Sequence, residues 1–310
     1  MTPRVSVVVP AYNSIAFIDA TMRSILAQTF SHFELVVSDH SSTDGTWEAL
    51  QQFTADHRVR LSRLASGGGA PANFNSVTDL ATGEFLKLVC GDDLLYPDCL
   101  AEQVAALAAH PSAVMAASTR DVIDAAGVPV LRNRGLAGLR GEVSGTEAIR
   151  RTVLAGTNIF GEPASVLFKR VALVDAGGWD ARFPYLIDEA TYCAVLLGGN
   201  LVAVPRSLAA FRVSESQWSV QLVRAQANQA IGFSREFAAA HPGLLGPRDL
   251  LISTMRARAN AVARRAVYRW LGRRMRGQRA TGSDQGGART AYAAPEGRPL
   301  PSRADPRRMQ

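Results

Sequence analysis

The chain has little cysteine. Three residues in 310, Cys90, Cys99 and Cys193, are too few and too scattered for a disulfide framework, and no two have the spacing of metal ligands. A reducing cytosol is the simplest compartment for such a sequence. Long apolar runs are also missing, since no stretch approaches the roughly 20 residues that a membrane span needs. Ahead of the apolar segment at Val5 there is no signal-peptide layout, and Pro10 breaks that segment early. The expectation is therefore a cytoplasmic protein without a span. No internal repeat is visible, and no nucleic-acid recognition module accompanies the basic charge, so no nucleic-acid partner is expected.

Negative charge is scarce only at one end. The whole chain carries 34 basic and 27 acidic residues, a net of +7. Residues 248–310 hold 15 Arg and 4 acidic residues, so subtraction leaves 19 basic and 23 acidic residues in 1–247. The body is mildly acidic and the high pI of about 9.8 belongs to the tail.

What is present is an alternation. Val5–Val9 is β-branched and nearly all apolar, as a strand buried on both faces should be. Helical spacing follows over Ser14–Gln28, then a second apolar strand at Leu35–Val37 ending in Ser38-Asp39. Ser41 to Thr46 is turn and cap chemistry, and Asp44 is read as the cap of the helix beginning at Gly45, a ligand contact being the alternative. Val59–Leu64 reads as a third strand, and Pro71 opens a helix after the loop Ser66–Ala70. Further on, Val122–Leu131 reads as a hairpin, Ser144-Gly145-Thr146-Glu147 as a capping box, Ala164–Phe168 and Leu201–Val204 as strands, and Asp188–Leu197 as a helix. Strands alternating with helices imply βαβ units and a mainly parallel central sheet flanked by helices.

The stretch that organises the chain is Glu84–Pro97. An apolar strand, Phe85–Val89, ends in the adjacent carboxylates Asp92 and Asp93. In open α/β sheets that edge is where ligands bind. Two neighbouring carboxylates repel unless a cation or a proton joins them, and a hard divalent ion carrying a diphosphate would satisfy both. The competing reading is that Asp92 or Asp93 merely caps the helix beginning near Pro97.

Val5–Asn13, Gln28-Thr29-Phe30, Glu34–Asp39 and Ser42–Thr46, followed by Ala81–Phe85 and Gly91-Asp92-Asp93, resemble glycosyltransferase family 2. Ser165–Arg170, Gly177–Asp180 and Asp188 resemble its later half, so the likeness covers roughly residues 3–215. The resemblance implies a GT-A, Rossmann-like fold and an inverting transferase. Such an enzyme moves a sugar from a nucleotide-diphosphate donor, a UDP-sugar being favoured, to an acceptor hydroxyl, in polysaccharide or glycoconjugate biosynthesis. It implies Mg2+ or Mn2+. By the same resemblance Pro10, Ala11 and Tyr12 lie against the nucleoside, Asp39 accepts from the base, and Asp92 binds metal and diphosphate. Asp188 is the general base, with Glu189 the alternative and a helix cap the plain reading. The sequence departs from the family at Cys90, where an Asp is usual, at Ile187, where a Glu is usual, and at Ser214, where a His is frequent. Arg212 either approaches the diphosphate or sits on a solvated loop.

The expected organisation is a domain over 1–215, split into a nucleotide half (1–118) and an acceptor half (119–215). A helical segment follows over 216–276, and then a disordered basic tail over 277–310. Arginines interleaved with Met255, Val262, Trp270 and Leu271 suit an anionic membrane surface, which would place 248–276 on the inner face of the plasma membrane near a glycan or lipid-linked acceptor. A solvated basic helix or a partner-docking arm is the competing reading. Two other functions stay open: a non-catalytic nucleotide-sugar-binding relative, and a sugar nucleotidyltransferase, against which stands the lack of a glycine-rich phosphate loop after the first strand.

Overall fold

The computed structural model describes residues 2–213 and 226–281, with side chains up to Arg264 in the last helix. Ser214 and the tail from 282 onward lie outside the described residues, as do the side chains of Trp270 and Leu271. The chain divides into two compact units, Met1–Val267 and Tyr268–Gln310. Of the second, the described part is helical, residues 268–281.

The first unit is built on one curled sheet. Strands β1 (Val5–Ala11), β2 (Phe33–Asp39), β3 (Val59–Arg63) and β4 (Phe85–Leu88) form its parallel side. Beyond β4 come β9 (Val166–Lys169), β6 (Ala113–Ile123), β10 (Asn200–Arg212) and β5 (Leu94–Leu95), giving the order β3-β2-β1-β4-β9-β6-β10-β5. Strand β7 (Pro129–Arg134) pairs with β6, and β8 (Gly141–Val143) with β10. On this far side only β6 and β10 run parallel, so the sheet is mixed.

Burial on both faces explains why β1, β2 and β4 read as near-continuous apolar runs. Along β1, Val7 and Val9 enter one core and Val8 the other, as the period of two requires. The first core takes Met22 and Ile25 of helix α1 (Ile18–Leu26) and Leu100 and Val104 of α4 (Cys99–Ala109). The second takes Phe74 of α3 (Gly69–Asp79), Phe168 and Tyr192, with Trp179 edge-on to Phe74 and Phe168. The one charged residue of β4, Lys87, is fully buried, and its ammonium donates to Gln103 Oε1 (2.8 Å) and to the Val166 carbonyl (3.2 Å). Burial pushes its pKa down.

The remaining helices of this unit are α2 (Thr46–Gln51), α5 (Gly145–Ala155), α6 (Arg170–Asp175), α7 (Ile187–Leu196), α8 (Gln226–Ala240) and the start of α9 (Pro247–Thr281). Half of the expected capping box is seen at α5: Ser144 Oγ accepts from Glu147 N (3.3 Å), while the Glu147 carboxylate accepts from Arg151 Nε (2.7 Å). Helix α8 buries Ala230, Phe233 and Phe237. Helix α9 is tied down by the bidentate pair Arg150–Asp249 (2.9 and 3.1 Å) and buries Ala257 and Ala261. Helical structure thus continues past residue 276, where the sequence suggested that it would stop. Among the described residues no helix is long and apolar enough to cross a membrane.

Candidate active site

The carboxyl ends of β1, β2 and β4 lie side by side, and the segments expected to bind a nucleotide emerge there. Ala11 ends β1 opposite Asp39 at the end of β2. Asp39 is fully buried. Its Oδ2 accepts from Ser42 N (3.2 Å) and faces Arg63 Nε (3.2 Å), while Oδ1 has no partner. A buried carboxylate oxygen left unsatisfied is costly, which marks it as an acceptor awaiting a donor. Two more such atoms lie close by in the fold: Oδ1 of Asn73, whose Nδ2 donates to Ala11 O (3.2 Å), and Nε2 of His40, whose backbone N also donates to Ala11 O (2.9 Å). Pro10 and Ala11 are buried, so only their backbone is open to a ligand-side contact. Tyr12 is 60% exposed, its ring centroid 6.0 Å from that of His40, so it is free to lie over a planar base.

Asp44 keeps the structural role read for it. Its Oδ1 accepts from Thr46 N (3.0 Å) at the first turn of α2, and its Oδ2 accepts from Ile15 N (3.0 Å), so it also ties the loop after β1 to that helix. Asn13 and Ser41 are held at φ 45° and 53° by this loop-to-loop bonding, in which Asn13 N donates to Ser42 Oγ (2.9 Å).

The loop Cys90–Asp93 follows β4 and packs on the loop after β1. Gly91 makes this possible, because a Cβ there would lie 2.7 Å from Ser14 Oγ. The two carboxylates part company. Asp93 turns inward, 1% exposed, and its Oδ1 accepts from Arg212 N (3.0 Å). Burial and then the Asp92 charge drive its carboxyl pKa well up. Asp92 stays partly exposed. Arg212 is buried, which corrects the reading that puts it on a solvated loop. It is 4% exposed, donates to the carbonyls of Asp92 (2.8 Å), Asp124 and Ala125 (both 3.1 Å), and stacks 4.7 Å from the Phe17 ring centroid. It buttresses the backbone that carries Asp92.

Among the described residues no group of three or more His, Cys, Asp or Glu side chains could hold a metal ion by itself. Cys90 adds no hard donor, since burial and the neighbouring Asp93 and Asp92 charges hold its thiol protonated. The residues fit a divalent ion only in the shared form. In that form Asp92 would supply an oxygen, with Asp93 Oδ2, which has no partner, beside it, and substrate phosphates would complete the shell.

Across the sheet, Asp188 stands in the first turn of α7. Its Oδ2 accepts from Asn158 Nδ2 (2.9 Å) and its Oδ1 from Glu189 N (2.8 Å). Burial, and then the charge of Glu162, push its pKa up to about 6. Glu189 faces the other way, 4% exposed, against Thr152 of α5, and burial pushes its pKa up to about 8. The Thr152 hydroxyl lies 2.9 Å from Glu189 Oε1 and 3.1 Å from the Thr157 carbonyl. One hydroxyl proton cannot serve both acceptors, and a protonated Glu189 resolves this by donating to Thr152.

Sequence reasoning missed four residues here. Asn158 holds Asp188 and is itself fixed, its Oδ1 accepting from Phe160 N (2.9 Å) and Gly161 N (3.2 Å). Glu162 is gripped by Arg120 through two bonds, 2.5 and 2.9 Å. Its charge acts on Asp188, Cys90 and Asp93 alike, which puts it between the two acidic groups of the site. Asn73 is the fourth. A charged residue between Gly161 and Pro163 in an otherwise apolar stretch was the only local signal; the other three are joined to the site by long-range pairing alone.

Residues 6–173 match the profile of Glycosyl transferase family 2. The uncharacterised Mycobacterium tuberculosis protein MT1568 is 29% identical over 233 residues, which is 73% of this chain and 72% of that one. Other curated relatives are matched over about two fifths of their own length. Among solved structures, Staphylococcus aureus TarS 1-349 in complex with UDP-GlcNAc superposes with a TM-score of 0.63 at 20% identity, over 82% of this chain and 71% of that one. The mannosyltransferase PcManGT of Pyrobaculum calidifontis, in complex with GDP-Man and Mn2+, gives 0.58 at 21%, over 87% and 81%. These superpositions show the GT-A fold.

Proposed function

The chain belongs to Glycosyl transferase family 2 and is a glycosyltransferase, and from that premise we propose an inverting transfer from a UDP-sugar to a glycan or lipid-linked acceptor hydroxyl. The observation that carries the donor half is the unpartnered Oδ1 of buried Asp39 at the end of β2. A charged acceptor held rigidly there suits the imide N–H of uracil. Tyr12 covers the base, and Asp92 faces the diphosphate. TarS binding UDP-GlcNAc is in keeping with this donor, and PcManGT binding GDP-Man with Mn2+ supports the divalent ion. Mg2+ or Mn2+, when bound at Asp92, neutralises charge on the departing diphosphate.

Asp188 takes the proton of the acceptor hydroxyl. A pKa near 6 leaves it ionised at neutral pH yet more basic than an ordinary carboxylate, as general-base catalysis favours. One base and one direct displacement invert the anomeric centre. Glu189 is the weaker choice because it is buried against α5. A place in polysaccharide or glycoconjugate assembly, in the cytoplasm and at the inner face of the plasma membrane, belongs to the same proposal. So does the division into a 1–215 catalytic domain and a helical 216–276 segment.

The test is transfer assayed with Mn2+ across a panel of nucleotide sugars, with Asp188→Asn beside the wild type. Expected is a rate that rises with pH through about 6 in the wild type and is lost in the variant, with UDP affinity nearly unchanged. Equal loss of transfer and of UDP binding would remove Asp188 from the role of base.

A further inference from the structure

We propose that the last helix positions the general base through a ladder of three side chains, Arg256, Asn260 and Arg264. The inference rests on Asp188 being that base. The three stand at i, i+4 and i+8 on α9 and so share one face. Arg256 Nη1 donates to Leu154 O (3.1 Å), and Asn260 Nδ2 donates to Ala155 O (2.9 Å) and Gly156 O (3.1 Å). These carbonyls lie at the carboxyl end of α5, where a helix leaves its acceptors without partners of its own. The approach is close enough to need glycine: Gly156 closes α5 at φ 62°, and a Cβ there would lie 2.5 Å from Ala257 N.

Arg264, one rung farther, donates to the hydroxyls of Thr157 and Tyr185. Each of these residues lies in a segment that leads to the base or to its partner. Thr157 directly precedes Asn158, whose amide holds Asp188 Oδ2. Tyr185 lies in the turn Pro184–Leu186 that leads into α7, and its backbone N donates to Gln229 Oε1 (2.7 Å) on α8. Asn158 lies in the irregular segment after α5, and Asp188 in the first turn of α7 just after the turn Pro184–Leu186. The ladder ties both to one rigid helix. Placement matters to this degree because a shift of about 1 Å at a reacting group costs on the order of a hundredfold in rate.

The experiment compares Arg264→Ala, Arg264→Lys and Arg258→Ala in the full chain. Arg258 stands on the exposed face of the same helix and controls for lost charge. Two readouts are taken: kcat and donor KM for transfer, and hydrogen exchange of the amides of residues 156–162 and 185–189. For Arg264→Ala the expected result is a fall in kcat of about tenfold to a hundredfold with donor KM unchanged, and faster exchange in both segments. Arg264→Lys recovers part of each, and Arg258→Ala behaves as wild type. Should Arg264→Ala fail to fold, the pair Thr157→Val with Tyr185→Phe removes the same bonds from the other side. Exchange and kcat that match those of Arg258→Ala would overturn the ladder, as would a donor KM that rises in step with the fall in kcat. Faster exchange in a protein whose wild type transfers no sugar would instead count against Asp188 as base while supporting the ladder.

Discussion

Asp188 and Glu189 are neighbours in the first turn of α7, yet one position along a helix turns a side chain by roughly a quarter of a circle or more. Asp188 reaches Asn158 and stays partly exposed, whereas Glu189 is sealed against Thr152. The consequence for Glu189 is a dependence of stability on pH with a definite sign. Its folded pKa, about 8, lies above the value of an unfolded glutamate. The native state therefore holds the proton more tightly. The stability contributed by this group is fully present below the unfolded pKa and is lost as pH rises through about 8. Glu189→Gln keeps the shape and a donor for Thr152 but does not titrate. Its melting temperature relative to the wild type should climb as pH is raised from about 5 to about 9, read by scanning calorimetry at each pH. A difference that stays flat, or that falls, would mean that Glu189 is not held neutral.

At the scale of elements, the decisive contact is between two loops rather than two strands. Gly91 lets the Asp92 loop rest on Ser14, so Gly91→Ala pushes a methyl group to 2.7 Å from Ser14 Oγ. A loss of about 1–3 kcal/mol is expected from such overpacking, with weaker metal-dependent UDP binding because Asp92 moves. Adding Ser14→Gly should return part of the stability, which a double-mutant cycle by urea unfolding would measure; strict additivity of the two changes would rule out the contact. The strands around this junction were legible in the sequence because β1, β2 and β4 are buried on both faces and so read as apolar runs. Strand β10 was not. Its length from Asn200 to Arg212 is interrupted by Pro205-Arg206, where the pairing with β6 shifts register, and the pattern stops at Val204. Arg212 misled for a similar reason: a charge reads as surface, and only its carbonyl partners from three other positions reveal that it is interior. Motif positions such as Asp39, Asp92 and Asp188 could be named in advance, whereas Asn158, Glu162 and Arg120 depend on pairings between distant segments.

At the scale of the whole molecule, the far face of α9 stands apart from the ladder. Arg264 is half-buried in the ladder, whereas Arg256 is exposed while its Nη1 donates to Leu154 O. The outer face carries the exposed apolar side chains Leu251, Met255 and Val262, spaced as a single stripe. If this stripe serves the proposed membrane contact, sedimentation with anionic vesicles should carry the protein down, neutral vesicles should not, and Met255→Asp should weaken the effect. Equal sedimentation with both lipids would end that idea. A different whole-molecule consequence follows from the unpartnered atoms of Asp39, Asn73 and His40. Each withholds stability from the ligand-free chain, so the resting enzyme sits below the ceiling its own fold permits. Selection for thermal endurance alone would replace these groups with apolar ones, and a tougher protein built that way would lack the acceptor that the proposed donor site relies on.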